Sequence, residues 1–98
     1  MELTDIIVPY IGKPIKEGKK TADTLTLVFE KKILFIKKEV KIVIYALEDI
    51  SSLSIKGIEK DVIDAVSFEN GRIKFSLRRD DTKAKYSFSF KANKVTRN

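Results

Sequence analysis

The dipeptide Asn70-Gly71 separates two stretches of alternating apolar and polar residues. Asn and Gly both tolerate the positive φ of a type I′ turn, so this pair is a strong hairpin signal. A one-residue slip would bury lysines, and the register is therefore well specified. The predicted pairs are Phe68–Ile73 and Val66–Phe75 on one face, and Glu69–Arg72 and Ser67–Lys74 on the other.

A second turn at Asp80-Asp81 extends the hairpin to a three-stranded meander. The predicted pairs across this turn are Leu77–Ala84, Phe75–Tyr86 and Ile73–Phe88. Both turns place the bulky apolar residues on the same face of the sheet. We therefore expect Tyr86, Phe88 and Phe90 to lie in the core and not to form a base-stacking platform for single-stranded nucleic acid.

The alternation continues through most of the chain and predicts an all-β fold. Residues 33–36 are apolar on both faces, which is typical of a strand that is covered on both sides. The gaps between strands are too short for parallel crossovers, so we expect a small antiparallel barrel or two packed sheets. The seven predicted strands span residues 24–29, 32–37, 40–45, 50–55, 62–69, 72–78 and 84–91.

A chain of 98 residues is expected to form a single domain. Residues 1–23 are predicted to pack on the barrel as an N-terminal segment, with a short helical stripe at 3–11 and an exposed loop at 16–20. The barrel itself is expected over residues 24–91. Residues 92–98 are predicted to be a polar, basic tail.

Two segments resemble the bacterial and archaeal relatives of pleckstrin homology and GRAM domains. In TLTLVFEKKILFI the matching positions are Leu25, Leu27, Leu34 and Phe35, and in IVIYALEDISSLSI they are Leu47, Asp49, Ile50 and Leu53. The later VSFENGRIKFSLR is similar to the strand pair that the family builds around an Asn-Gly or Asp-Gly turn. The resemblance covers residues 24–90 and implies a small barrel that binds phosphoinositides, proteins or no known ligand.

The chain departs from that family after its last strand. The family closes one end of the barrel with a C-terminal helix, whereas residues 92–98 are too short and too polar to do so. Either residues 3–11 perform the capping, or a partner or a second copy of the chain completes the barrel, or the chain is a small β-barrel of another kind.

The composition argues against catalysis. The chain has no His and no Cys, so the common nucleophile and general-base arrangements are absent. Glu48-Asp49 and Asp80-Asp81 lack the spaced oxygen ligands of a calcium loop. We expect no enzyme activity, no cofactor and no metal.

The sequence favours a cytoplasmic protein, because no apolar run is long enough to span a bilayer and no signal peptide is evident. The many Lys, Glu and Ile residues are typical of thermophiles.

A net charge of +6 and a pI near 9.6 favour anionic partners. The meander register places basic residues on one outward face, where they would suit nucleic-acid or other anion binding. These candidates are Arg72, Lys74, Arg78, Lys83, Lys85 and Lys91. Lys31 and Lys32 are candidates for a lipid headgroup site. We expect Lys31-Lys32 and Lys37-Lys38 to lie at opposite ends of one strand.

These patterns favour a non-catalytic binding module, either a small protein-interaction domain or a subunit of a larger assembly, with docking at an uncovered barrel end. The docked partner is expected to be another protein or a further copy of the same chain. The first alternative is a protein that binds the nucleic-acid backbone through the basic face. The second is a peripheral binder of anionic phospholipid headgroups.

Overall fold

A computed structural model describes residues 2–55, 58–79 and 81–98, and this part of the chain is nearly all β. Two short 3₁₀ helices, Leu3–Ile6 and Val8–Tyr10, precede the sheet. The six strands are β1 (Ile15–Lys20), β2 (Thr24–Ile33), β3 (Ile36–Ala46), β4 (Val62–Glu69), β5 (Arg72–Arg78) and β6 (Lys85–Arg97). They form one antiparallel sheet in the order β1-β2-β3-β6-β5-β4.

Strand β6 joins the two halves of the sheet. Its first half pairs with β5, from Arg78–Lys85 to Arg72–Lys91, and its second half pairs with β3 as far as Ile42–Arg97. Near the junction of these halves the register of the β3–β6 ladder shifts, between the pairs Tyr45–Lys94 and Ala46–Ala92. Such a shift bends a strand and increases its twist, so the sheet curls into a barrel-like shape.

The two outer strands meet at one end of the curled sheet. Pro14 forms an isolated bridge with Val62. The Ile15 N–H donates to the Asp61 carbonyl oxygen at 2.8 Å, and the Gly12 N–H donates to the Ile63 carbonyl oxygen at 2.9 Å. These bonds use backbone groups that an open sheet edge would otherwise expose to water.

The core lies on the concave face of the sheet. Its largest fully buried side chains include Phe29, Phe75 and Phe90. The N-terminal segment adds to this core, because Ile7 and Tyr10 are buried and the Tyr10 ring stacks on Phe29 with 4.9 Å between the ring centroids.

The all-β class and the barrel-like shape are confirmed, but the sheet has six strands among the described residues and not seven. Residues 50–55 were expected to form a strand and instead make turns, with the Leu53 N–H donating to the Ile50 carbonyl oxygen. Residues 16–20 were expected to be a loop and instead belong to β1. The barrel limits of 24–91 were too narrow, because β6 continues to Arg97 and buries Ala92 and Val95.

The hairpin at Asn70-Gly71 has the predicted register, including Phe68–Ile73 and Val66–Phe75. Both turn residues have positive φ, 53° and 76°. The register that was predicted between β5 and β6 was wrong by two residues. The observed pairs are Leu77–Tyr86, Phe75–Phe88 and Ile73–Phe90.

This shift arises because the connection after β5 is longer than a two-residue turn. The Arg79 N–H donates to the Ala84 carbonyl oxygen at 2.8 Å, and Lys83 has a φ of 61°. Asp80, half of the predicted turn, lies outside the described residues. A shift of two residues keeps the same side chains on the same face. Phe90 is therefore buried as predicted, and Tyr86 and Phe88 are half-buried against the core.

Gly18 allows the segment before β4 to pack on β1. A Cβ placed there would overlap the Ile58 side chain, lying 2.5 Å from Cγ1 and closer still to Cδ1. Ile58 is 1% exposed and belongs to the core. The absence of a side chain at position 18 is thus a packing requirement of this contact.

We predict that Gly18→Ala lowers the free energy of unfolding by about 1–3 kcal/mol, the usual range for overpacking a core. Urea denaturation of the purified protein measures this loss. Ile58→Val removes the Cδ1 that the new methyl group would strike, so it should partly rescue Gly18→Ala. Additive effects of the two substitutions in a double-mutant cycle would contradict the proposed contact.

Candidate functional site

The most exposed part of the sheet is a two-stranded ribbon at residues 30–39, which we call the arm. Strand β1 pairs with β2 only as far as Ile15–Phe29, and the β3–β6 ladder ends at Ile42–Arg97. Beyond those pairs, β2 and β3 have only each other as neighbours among the described strands. Every residue from 30 to 39 is exposed. The arm therefore projects from the barrel as an element that contributes no buried residue to the core.

The end of the arm is apolar and is exposed to solvent. We call Ile33, Leu34, Phe35 and Ile36 the tip. Their exposed fractions are 45%, 84%, 98% and 60%, respectively. The prediction that residues 32–37 form a strand covered on both sides was wrong, because these residues form the end of the β2–β3 hairpin. The apolar run itself misled the prediction, since hairpin turns are usually polar.

The turn at the tip has a backbone conformation that Leu rarely adopts. Leu34 and Phe35 connect the paired residues Ile33 and Ile36, and Leu34 has a φ of 56°. Positive φ at the first turn residue alone matches a type II′ turn, in which Gly is preferred at that position. A non-Gly residue in this region costs of the order of 1–3 kcal/mol. The tip thus carries neither the polarity nor the residue type that hairpin formation favours.

Four lysines, which we call the collar, flank the tip. Lys31 pairs with Lys38, and Lys32 pairs with Lys37. The expectation that Lys31-Lys32 and Lys37-Lys38 lie at opposite ends of one strand was therefore wrong. Neighbouring residues of a strand point to opposite faces, so each face of the arm carries one lysine pair. Like charges directly opposite each other destabilise a hairpin in water.

Ion pairs stabilise the base of the arm. Lys16 Nζ of β1 lies 2.5 Å from Glu39 Oε1 and 3.8 Å from Glu30 Oε2. The hydrogen bond from Lys16 lowers the pKa of Glu39, and the same bond raises the pKa of Lys16. Lys37 lies 3.9 Å from Glu30. The other three collar lysines have no ion pair with any residue that the structure describes.

The basic face predicted on β5 and β6 is present as a geometric arrangement. Arg72 lies opposite Lys91, and Arg78 lies opposite Lys85, all on the outer face. Lys83 lies apart from them in the connecting loop. The sequence therefore placed five of its six candidates on a common surface.

Carboxylates accompany the basic face. Arg72 lies 3.2 Å from Glu48, while Arg78 and Lys85 lie 3.7 and 3.6 Å from Asp64. Glu48 accepts the backbone N–H of Lys91 at 2.9 Å, and this bond is the main cause of its lowered pKa. Sequence reasoning missed both acids, because each comes from outside β5 and β6. Their charges reduce the positive potential of the face.

Lys74 is the central cation of this face, and it has no ion pair with a described residue. It lies between Ser67 and Ser89 in the ladder, and Ser76 and Ser87 form the adjacent row. These small side chains line a shallow depression around it. The depression offers hydroxyl groups, the Lys74 ammonium and the Arg72 guanidinium to an anion, and the Glu69 carboxylate also lines it.

A buried carboxylate near the barrel closure was not predicted from the sequence. Asp61 is 1% exposed and accepts a hydrogen bond from Tyr86 Oη at 2.8 Å. Arg79 Nε lies 3.3 Å from its other oxygen. Burial, followed by the bond to Asp61, raises the pKa of Tyr86 well above its usual range. These contacts connect β6 and the loop after β5 to the residue that immediately precedes β4.

No protein-family model, curated protein or solved structure matches this chain. In the described residues, the structure contains no helix that is both long and apolar enough to cross a membrane.

We predict that Tyr86 makes the protein sensitive to alkali. Its folded-state pKa is raised above the usual 10.0, so its contribution to stability is complete below that value. Above it, the unfolded state loses the proton more readily, and the free energy of unfolding falls as the pH rises. Denaturant titrations at neutral and alkaline pH should show a steeper fall for the wild type than for Tyr86→Phe. Parallel pH profiles would contradict this assignment.

Proposed function

We propose that this protein is a non-catalytic binding module and that the tip of the arm is its docking element. The observation that carries this proposal is the contiguous exposure of Ile33, Leu34, Phe35 and Ile36. Isolated exposed apolar residues are normal on protein surfaces, whereas contiguous apolar patches mark interaction sites.

Three features of the arm oppose folding stability, and docking accounts for all of them. The tip exposes apolar surface, Leu34 has an unfavourable backbone conformation, and the collar places like charges opposite each other. A two-stranded ribbon is also only marginally stable by itself in water. Sequences that violate local rules in this way usually do so at functional sites.

This proposal places docking at the arm and not at an uncovered barrel end. The buried Ile7 and Tyr10 show that the N-terminal segment packs on the barrel. A protein partner, a larger assembly or a second copy of the chain would each suit an apolar tip.

The relationship to pleckstrin homology and GRAM domains stays a prediction, as does a cytoplasmic location. The absence of His and Cys supports a role without catalysis.

Binding to a nucleic-acid backbone is the second candidate function. It is favoured by Lys74 and the surrounding serines, because phosphate contacts need positive charge and hydrogen-bond donors. It is disfavoured by Glu48 and Asp64, which neutralise part of the same face. The arm carries exposed apolar groups that backbone recognition does not require.

We predict that replacing the tip with good turn residues increases stability and abolishes docking. Leu34→Gly combined with Phe35→Asn supplies the residues that a type II′ turn prefers. We expect the free energy of unfolding to increase by about 1 kcal/mol, because the strain at Leu34 is relieved. Thermal denaturation of both proteins measures this change, and a loss of stability would mean that the native tip supports the fold.

The docking test compares the same variant with the wild type in fractionated cell extracts. Wild-type protein should be recovered with membranes or with larger complexes, and the double variant should be recovered as the free chain. Leu47→Asn is the matched control, since Leu47 is 60% exposed but lies outside the arm. Identical distributions of wild type and tip variant would overturn the proposed function.

For the basic face, we expect only weak, salt-sensitive binding of DNA and RNA, with a Kd no tighter than about the micromolar range of non-specific complexes. Titration of labelled duplexes and single strands at several salt concentrations measures it. Lys85→Glu with Lys91→Glu should abolish whatever binding occurs. Tight binding at physiological salt that this double substitution removes would make the second candidate the leading one.

A further inference from the structure

We infer that the partner of the arm is a lipid bilayer that contains anionic phospholipids, with the tip inserted among the lipids and the collar bound to their phosphates. This inference rests on the proposed docking role of the tip and names its partner. Its basis is the combination of four exposed apolar residues with four lysines immediately behind them.

The dimensions of the arm match the interfacial region of a bilayer. A strand rises about 3.3 Å per residue, so the turn lies roughly 7 Å beyond the Lys32–Lys37 row and roughly 10 Å beyond the Lys31–Lys38 row. Apolar faces of interfacial elements enter the boundary between headgroups and acyl chains to a depth of about 5–10 Å. With the tip at that depth, both lysine rows lie at the level of the phosphates.

The distribution of charge favours a planar partner. Each face of the arm carries one lysine pair, so the positive charge surrounds the arm instead of forming one basic side. An anionic bilayer can contact all four ammonium groups when the arm enters it end-on. A protein groove would have to present acidic groups on two opposite walls around an apolar floor. The flexible lysine stems can also extend along the membrane while their charges stay in water.

The backbone of the arm limits how far it can enter. Both outer edges of the ribbon, at residues 31–33 and 36–38, have no neighbouring strand among the described residues. Their free N–H and C=O groups need water or headgroup partners, because unsatisfied groups are very unfavourable in hydrocarbon. The arm is therefore suited to shallow attachment, with only the turn and its first flanking pair below the headgroups.

The first experiment is sedimentation of the purified chain with vesicles. The vesicles contain phosphatidylcholine alone or phosphatidylcholine mixed with phosphatidylglycerol. We expect the wild type to sediment with the mixed vesicles and to stay in solution with the neutral ones. Lys31→Gln with Lys38→Gln should lower the affinity about fivefold per lysine at low salt. Lys74→Gln with Lys91→Gln changes the net charge equally but lies on the basic face, so it should leave the affinity nearly unchanged.

The second experiment places a reporter in the tip. The chain has no Trp, so Phe35→Trp introduces the single indole, which can be excited selectively over the tyrosines, while keeping an aromatic side chain at that position. We expect its emission to shift to shorter wavelength with the mixed vesicles, because the indole leaves water. Leu47→Trp is the matched control at an exposed apolar residue outside the arm, and its emission should not shift. Soluble glycerol phosphate should not reproduce the shift, which separates a bilayer from a free phosphate.

The outcomes separate this inference from the proposed function. Equal binding to neutral vesicles, equal losses in the two lysine variants, or an unshifted Phe35→Trp emission would overturn bilayer insertion. If the vesicle experiments fail while fractionation still shows tip-dependent recovery with soluble complexes, only the membrane inference falls and the partner is a protein. If the tip variant also fractionates like the wild type, both proposals fall.

Discussion

The architecture depends on the two-sided pairing of β6. One half of this strand completes the ladder with β5, and the other half completes the ladder with β3, so a single strand holds two three-stranded units in one sheet. The register shift where Ala46 meets Ala92 curls the sheet, and this curl brings Pro14 to Val62. The closure in turn positions Asp61 for its bonds with Tyr86 and Arg79. The buried carboxylate is thus a consequence of the curl.

The same pairing explains why the arm is exposed. Strand β3 is longer than the part of β6 that pairs with it, and β2 is longer than β1, so the shared β2–β3 ladder continues after its neighbours end. An ion-pair cluster at its base, centred on Lys16, connects this ribbon to β1. Phe29 is the last buried residue of β2, so the packing of the barrel does not require apolar residues at the tip. Their presence there is the reason for assigning the tip a binding role.

The protein has two basic surfaces, the outer face of β5 and β6 and the collar. They differ in how far carboxylates neutralise their charge. On the outer face of β5 and β6, Glu48 and Asp64 accompany the arginines and lysines. In the collar, lysine lies opposite lysine, and among the described residues a carboxylate contacts only Lys37 of the four. Net charge alone does not distinguish these surfaces. Three collar lysines that lack an ion pair among the described residues lie beside the exposed apolar residues, whereas Lys74 on the other face does not, which favours one binding element that combines charge and apolar surface.

Alternation and turn chemistry are local properties, so the amino-acid order alone was enough to predict the all-β class, the Asn70-Gly71 hairpin and the faces of the meander. The sequence also identified Lys31 and Lys32 as candidates, although it placed them wrongly relative to Lys37 and Lys38. Whether residues 33–36 are buried or exposed depends on how the strands pair and pack, because the same apolar run is compatible with a covered strand and with a projecting turn. The same holds for the polar stretch Ile15–Lys20, which is a strand because pairing with β2, and not its own side chains, gives it that conformation.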